Sequence, residues 1–143
     1  MAKLTNRAAK AAADAVADLS EVGTTFSSGR IVFYDGTEPA DADTALSGNT
    51  VLSTVVLLNP AFGNASDASP GADVAALTPI SDTNIATGGT VSFARWKDRD
   101  GDDIGQYTVG VTGSGKDIIV NSVTFVAGET LEVLSFVPHF PES

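Results

Sequence analysis

The stretch FARWKDRDGDDIGQYTVGV, residues 93–111, decides how the rest of the chain is read. Its centre, Asp98-Arg99-Asp100-Gly101-Asp102-Asp103, packs four carboxylates into six residues, which raises a calcium loop as one reading and a tight turn as the other. An EF-hand needs oxygen ligands at loop positions 1, 3 and 5, a glycine at 6 and a bidentate glutamate at 12. Counted from Asp98, the first three are Asp98, Asp100 and Asp102, but position 6 is Asp103 and position 12 is Val109. The flanks, FARWK and QYTVGV, are strand-like, and Asp-Gly at the tip is a hairpin signal. The stretch therefore reads as a β-hairpin with a solvated acidic tip. A weaker, non-EF calcium site at Asp98, Asp100, Asp102 and Asp103 stays open, because crowded carboxylates repel one another and a hard cation would relieve that; Arg99 compensates part of the charge without a metal.

Working outward from the hairpin, short β-type runs bounded by turn residues continue in both directions. Candidate strands are 30–34, 50–58, 75–79, 90–97, 104–111, 117–126 and 130–137. Their number and spacing predict an antiparallel β-sandwich, jelly-roll-like, over residues 28–138. One amphipathic α-helix precedes it at residues 4–22. There Leu4, Ala8, Ala11, Ala12, Ala15, Leu19 and Val22 recur at three- and four-residue spacing, Thr5 or Asn6 can cap the start, and Gly23 can end it. A chain of 143 residues is read as one domain, 1–143.

The helix carries its charges against its dipole, with Arg7 and Lys10 in the first turns and Asp14, Asp18 and Glu21 in the last. Either these form a solvated face, or Arg7 and Lys10 meet an acidic neighbouring subunit. Two long connections, Asp35–Asn49 (DGTEPADADTALSGN) and Asn59–Asp73 (NPAFGNASDASPGAD), are the expected contact surfaces, with Asp35, Glu38, Asp41, Asp43, Asn59 and Phe62 as interface candidates.

Composition narrows the chemistry. Eighteen acidic against eight basic residues give a net charge of -10, which repels nucleic acid and anionic lipid. Without cysteine there is no disulfide, thiolate metal site or cysteine nucleophile. The amino-terminal charges interrupt any signal-peptide core, so the expected site of synthesis is the cytoplasm without export. His139, the single histidine, lies in PHFP, read as an extended tail, and no nucleophile-elbow sequence accompanies it. Gly88-Gly89 and TGSG at 112–115 lack the phosphate-loop pattern and read as turns. Trp96 and Tyr107, across the hairpin, form a conceivable carbohydrate platform, although most rings sit in strand-like runs that suit core packing. No enzyme, cofactor or catalytic residue is expected.

Four segments together resemble a family of small structural proteins of tailed bacteriophages and prophages: LTNRAAKAAADAVADL, GRIVFYDGTEPADADTALSGNTVLSTVVLLNPAFG, TPISDTNIATGGTVSFARWKDRDG and VNSVTFVAGETLEVLSFVPHFP. The resemblance implies a virion component without catalytic activity, a β domain with an N-terminal helix. It carries over no functional residues and no fixed position in the particle. An acidic, cysteine-free chain with long loops suits attachment to a capsid exterior, so the expectation is a head decoration or cement protein that bridges capsomers. Its partners would be the major capsid protein or other virion proteins, as a homo-oligomer or in many copies. A neck, tail or short-fibre component, or a host-receptor or carbohydrate-binding module, are the alternatives.

Overall fold

A computed structural model describes residues 4–68 and 70–141. Thr5 opens the helix, its hydroxyl accepting the Ala8 N–H at 3.2 Å and satisfying an amide that the first turn would leave unpaired. α1 runs Asn6–Ala17 and tightens into a 3-10 turn over Asp18–Glu21. Its buried face is Ala9, Ala13 and Ala17 with Ser20, and this corrects the expected stripe, since Leu4, Leu19 and Val22 are 46%, 41% and 51% exposed. Ala11, Ala12 and Ala15 also face solvent. With alanine on every side of the helix, the few large residues dominated the periodicity while the packing selected the face on which only methyl groups fit.

Among the described residues twelve strands follow: β1 Arg30–Tyr34, β2 Val51–Val56, β3 Ser66–Asp67, β4 Ala72–Asp73, β5 Ile80–Asp82, β6 Gly89–Thr90, β7 Phe93–Lys97, β8 Asp103–Gly110, β9 Ile118–Val120, β10 Thr124–Phe125, β11 Leu131–Phe136 and β12 His139–Phe140. Seven form the main sheet in the order β2-β1-β7-β8-β9-β11-β5. The fold is mainly β with one N-terminal helix, as read, but the sheet is a nearly closed mixed barrel and not an antiparallel sandwich. β8 and β9 pair parallel, Val109 beside Ile118. The two edges, β2 and β5, come together without a ladder, and the Ser53 hydroxyl donates to Asp82 Oδ2 at 2.8 Å across the seam.

Alternating polarity shows which side chains point inward, but it is silent on whether a sheet faces a second sheet or curls onto itself. The parallel step depends on segment 111–117 doubling back on β8, and Gly110 makes room for it: a Cβ there would lie 2.6 Å from Lys116 Cγ. Residues 75–79, expected as a strand, form none; Ala76 makes only an isolated bridge to Phe62, while β4 and β5 flank the segment. The expected strands 90–97 and 117–126 are each broken in two. The PHFP tail is a strand, β12, pairing with β4 in the small sheet β12-β4-β3.

The barrel interior is filled from every strand of the sheet, with Ile31, Phe33, Leu52, Val55, Ile80, Ala94, Trp96, Val109, Ile118, Val120, Leu131, Val133 and Phe136 in one cluster. α1 lies on the small sheet, Ala9, Ala13 and Ala17 against Ala72 and Val74. Trp96 joins the two, because the fully buried indole donates its N–H to Ser20 Oγ at 2.8 Å. Ser20→Ala leaves that donor unpaired in the core and should lower unfolding free energy by about 1–3 kcal/mol in urea titrations. An unchanged midpoint would mean that the indole finds another acceptor.

Candidate functional site

The hairpin tip is built by its own carboxylates. Asp98 Oδ1 accepts the amides of Asp100 and Asp102 at 2.9 and 3.0 Å, closing the turn over Gly101. Asp103 pairs with Arg95 Nη1 at 2.9 Å and with Lys97 Nζ. Asp100 turns the other way and grips the segment that follows the helix: its Oδ1 accepts Thr24 N at 2.9 Å, Thr25 N at 3.1 Å and Thr25 Oγ1 at 2.9 Å. Arg99 adds backbone bonds on both sides, from its N–H to Val22 O and from Phe26 N–H to its carbonyl, and its Nε donates to Phe26 O at 2.7 Å. The tip is exposed at Asp100, Asp102 and Asp103, as expected, and beyond that it is the clamp for residues 22–26.

Gly23 is what allows this approach. It sits at φ +116°, and a Cβ there would lie 2.6 Å from Asp100 Cγ. The amides of Thr24 and Thr25 and the Thr25 hydroxyl hold the Asp100 carboxyl below its usual value of 3.8. The carboxylates of Asp98, Asp100 and Asp103 each have different partners, Asp102 engages only through its backbone, and among the described residues no three acidic or histidine side chains converge as ligands for a metal would.

Asp35–Asn49 is also organised from within. Arg95, buried although charged, projects from the outer face of β7 and donates through Nη2 to Thr44 O and Asp41 O, and through Nε to Gln106 Oε1 at 3.1 Å. Gln106 Nε2 reaches Pro39 O at 2.8 Å and Glu38 Oε1 at 3.3 Å. Asp41 caps the loop's own turn, and the Thr44 hydroxyl and amide, with Asp43 N–H, keep its carboxyl below 3.8. Asp35 accepts Thr50 N at 2.6 Å, and Asn49 Nδ2 bonds Asp35 O and Thr37 O. Leu46 covers Val32, Tyr34 and Phe93 on the barrel's outside. Of the acidic interface candidates, Asp35, Glu38 and Asp41 are spent on this scaffold, and Asp43 is left exposed.

Asn59–Asp73 is anchored by the helix. Asp14 Oδ1 accepts Ala65 N at 2.7 Å and Glu21 Oε1 accepts Ala61 N at 2.9 Å, so two of the anions at the unfavourable end of the dipole replace missing strand partners. Phe62 is half-buried: its ring packs 4.9 Å from Trp96 and 5.8 Å from Phe136, and its remaining surface faces the cleft between helix and loop. Asn59 Nδ2 bonds Ser27 O at 3.4 Å. Lys10 approaches Asp67 at 3.7 Å, and Arg7 is exposed without an ion pair among the described residues. Between helix and loop lies an open cleft of ≈ 390 Å³ walled by Asp14, Asp18, Glu21, Pro60 and Phe62.

His139 Nδ1 meets Asp73 Oδ1 at 2.7 Å across the β12–β4 pair. Trp96 has no exposed face, and Tyr107 packs edge-on to Phe136 at 4.9 Å, its phenol pushed up to about 12 by burial and then by the charge of Asp117. The two rings therefore offer no open carbohydrate platform. The anchors Arg95, Asp14 and Glu21 had weak signals, a cation between apolar neighbours in β7 and anions set against a helix dipole, and Ser20 had none. No protein-family model, curated protein or solved structure matches this chain.

Because Asp100 and Asp41 titrate below their unfolded value, the stability that they contribute is complete above pH 3.8 and is lost as the pH falls through their folded values. Asp100→Asn should lower the melting temperature at pH 7 and flatten its decline below pH 4, as read by calorimetry; equal pH profiles would contradict the clamp. Gly23→Ala should cost about 1–3 kcal/mol. Millimolar calcium should shift the melting temperature no more than magnesium does.

Proposed function

We propose that this chain is a non-enzymatic structural protein of a tailed-bacteriophage particle, acting as a decoration or cement protein on the head. The observation that supports the reading best is the construction of loop 35–49. A surface loop tied by Arg95, Gln106, Asn49, Asp35 and Asp41 is ordered before any partner arrives, so docking it costs little conformational entropy. A small contact repeated many times on a symmetric shell gains most from such preorganisation, since each copy contributes modestly and avidity does the rest. The resemblance of the YDGTEPADADTA and NPAFG segments to virion proteins points the same way. His139 is taken up by Asp73, and Asp98, Asp100 and Asp103 by the hairpin and its clamp.

Quantitative mass spectrometry of purified particles tests the proposal. The expected copy number scales with that of the major capsid protein, and particles lacking the gene should lose heat resistance. A handful of copies per particle would place the chain in the neck, tail or a fibre, and its absence from particles would overturn the proposal altogether.

A further inference from the structure

The exposed side of α1 has a pattern that folding of one chain does not use up. Arg7, Lys10, Asp14, Asp18 and Glu21 recur at spacings of three and four, so they form one stripe along the helix and its 3-10 extension, positive at one end and negative at the other. Each of the end charges opposes the helix dipole. Asp14 and Glu21 each give one oxygen to the loop beneath, but Asp18 is exposed with no side-chain partner among the described residues, as is Arg7, and Lys10 has only its long contact to Asp67. Beside this stripe runs an uncovered apolar one, Leu4, Ala11, Ala15 and Leu19, ending at Val22.

A bipolar stripe is complementary to itself when reversed. We infer that α1 is a homotypic docking surface, on which a second copy of this chain packs its own α1 antiparallel about a two-fold axis. Lys10 of each copy then faces Asp18 of the other, and Arg7 of each reaches Glu21 at the mouth of the other's cleft. The alanines lie near the axis, where their small side chains allow close approach, and Leu4 lies against Leu19 and Val22. Arg7, Lys10, Asp18 and Glu21 are each met by an opposite charge, while the two Asp14 carboxylates, each bonded to Ala65 N–H of its own chain, meet at the axis as the one like-charged pair, and the antiparallel partner's dipole offsets that of the first helix. The contact is isologous, so it closes as a dimer and leaves loop 35–49 uncovered. The inference goes beyond the virion proposal and does not rest on it.

Sedimentation equilibrium of the full chain, loaded up to about 1 mM, should give a dimer that weakens as salt rises. Lys10→Asp and Asp18→Lys should each weaken it by about tenfold or more, because each homodimer then sets like charges opposite one another twice. Mixed in equal amounts, the two variants should regain wild-type affinity, since both cross-pairs are again opposite in sign. Far-UV circular dichroism checks that each is folded. A wild-type monomer across the whole range, a dimer indifferent to salt and to both reversals, or a mixture no tighter than its components would each overturn the inference.

Discussion

The constraint on which this molecule depends is the grip of the β7–β8 hairpin on two segments that have no sheet of their own. From its tip, Asp100 and Arg99 hold residues 22–26; from its middle, Arg95 and Gln106 hold loop 35–49. Without the first grip, the helix would not arrive where Ser20 can accept the Trp96 indole. Without the second, the outer faces of Val32, Tyr34 and Phe93 would be bare. Arg95 can be buried because its planar fork is satisfied on every side, by one carboxylate, one amide oxygen and two carbonyls.

The acidic composition takes on a structural meaning in this light. Short strands and long connections leave many backbone amides outside any ladder, and each such donor needs an acceptor from the protein or from water. Here carboxylates supply them: Asp14 for Ala65, Glu21 for Ala61, Asp35 for Thr50, Asp41 for Asp43 and Thr44, Asp98 for Asp100 and Asp102, and Asp100 for Thr24 and Thr25. Part of the net charge of -10 is therefore internal scaffolding and only part is surface hydration.

The hairpin was legible because turn chemistry and strand pattern agree within one short window, and β1 and the helix were legible for the same local reason. The barrel was not, because closure of β2 on β5 is a long-range event marked only by Ser53 and Asp82, residues with no pattern of their own. Nor was the helix's buried face, since alanine is equally at home on either side of a helix. The acidic tip looked like a ligand site because clustered charge is conspicuous in a sequence, whereas the amides of Thr24 and Thr25 that satisfy Asp100 lie more than seventy residues away.

Amide hydrogen exchange tests the central claim most directly, that carboxylates hold the connections as firmly as ladders hold the strands. The account predicts that the amides of Thr24, Thr25, Asp43 and Thr44, all outside the barrel ladder, exchange slowly, with protection comparable to the barrel's edge strands. Exchange of these amides at the rate of an unstructured peptide, beside a protected barrel, would contradict it.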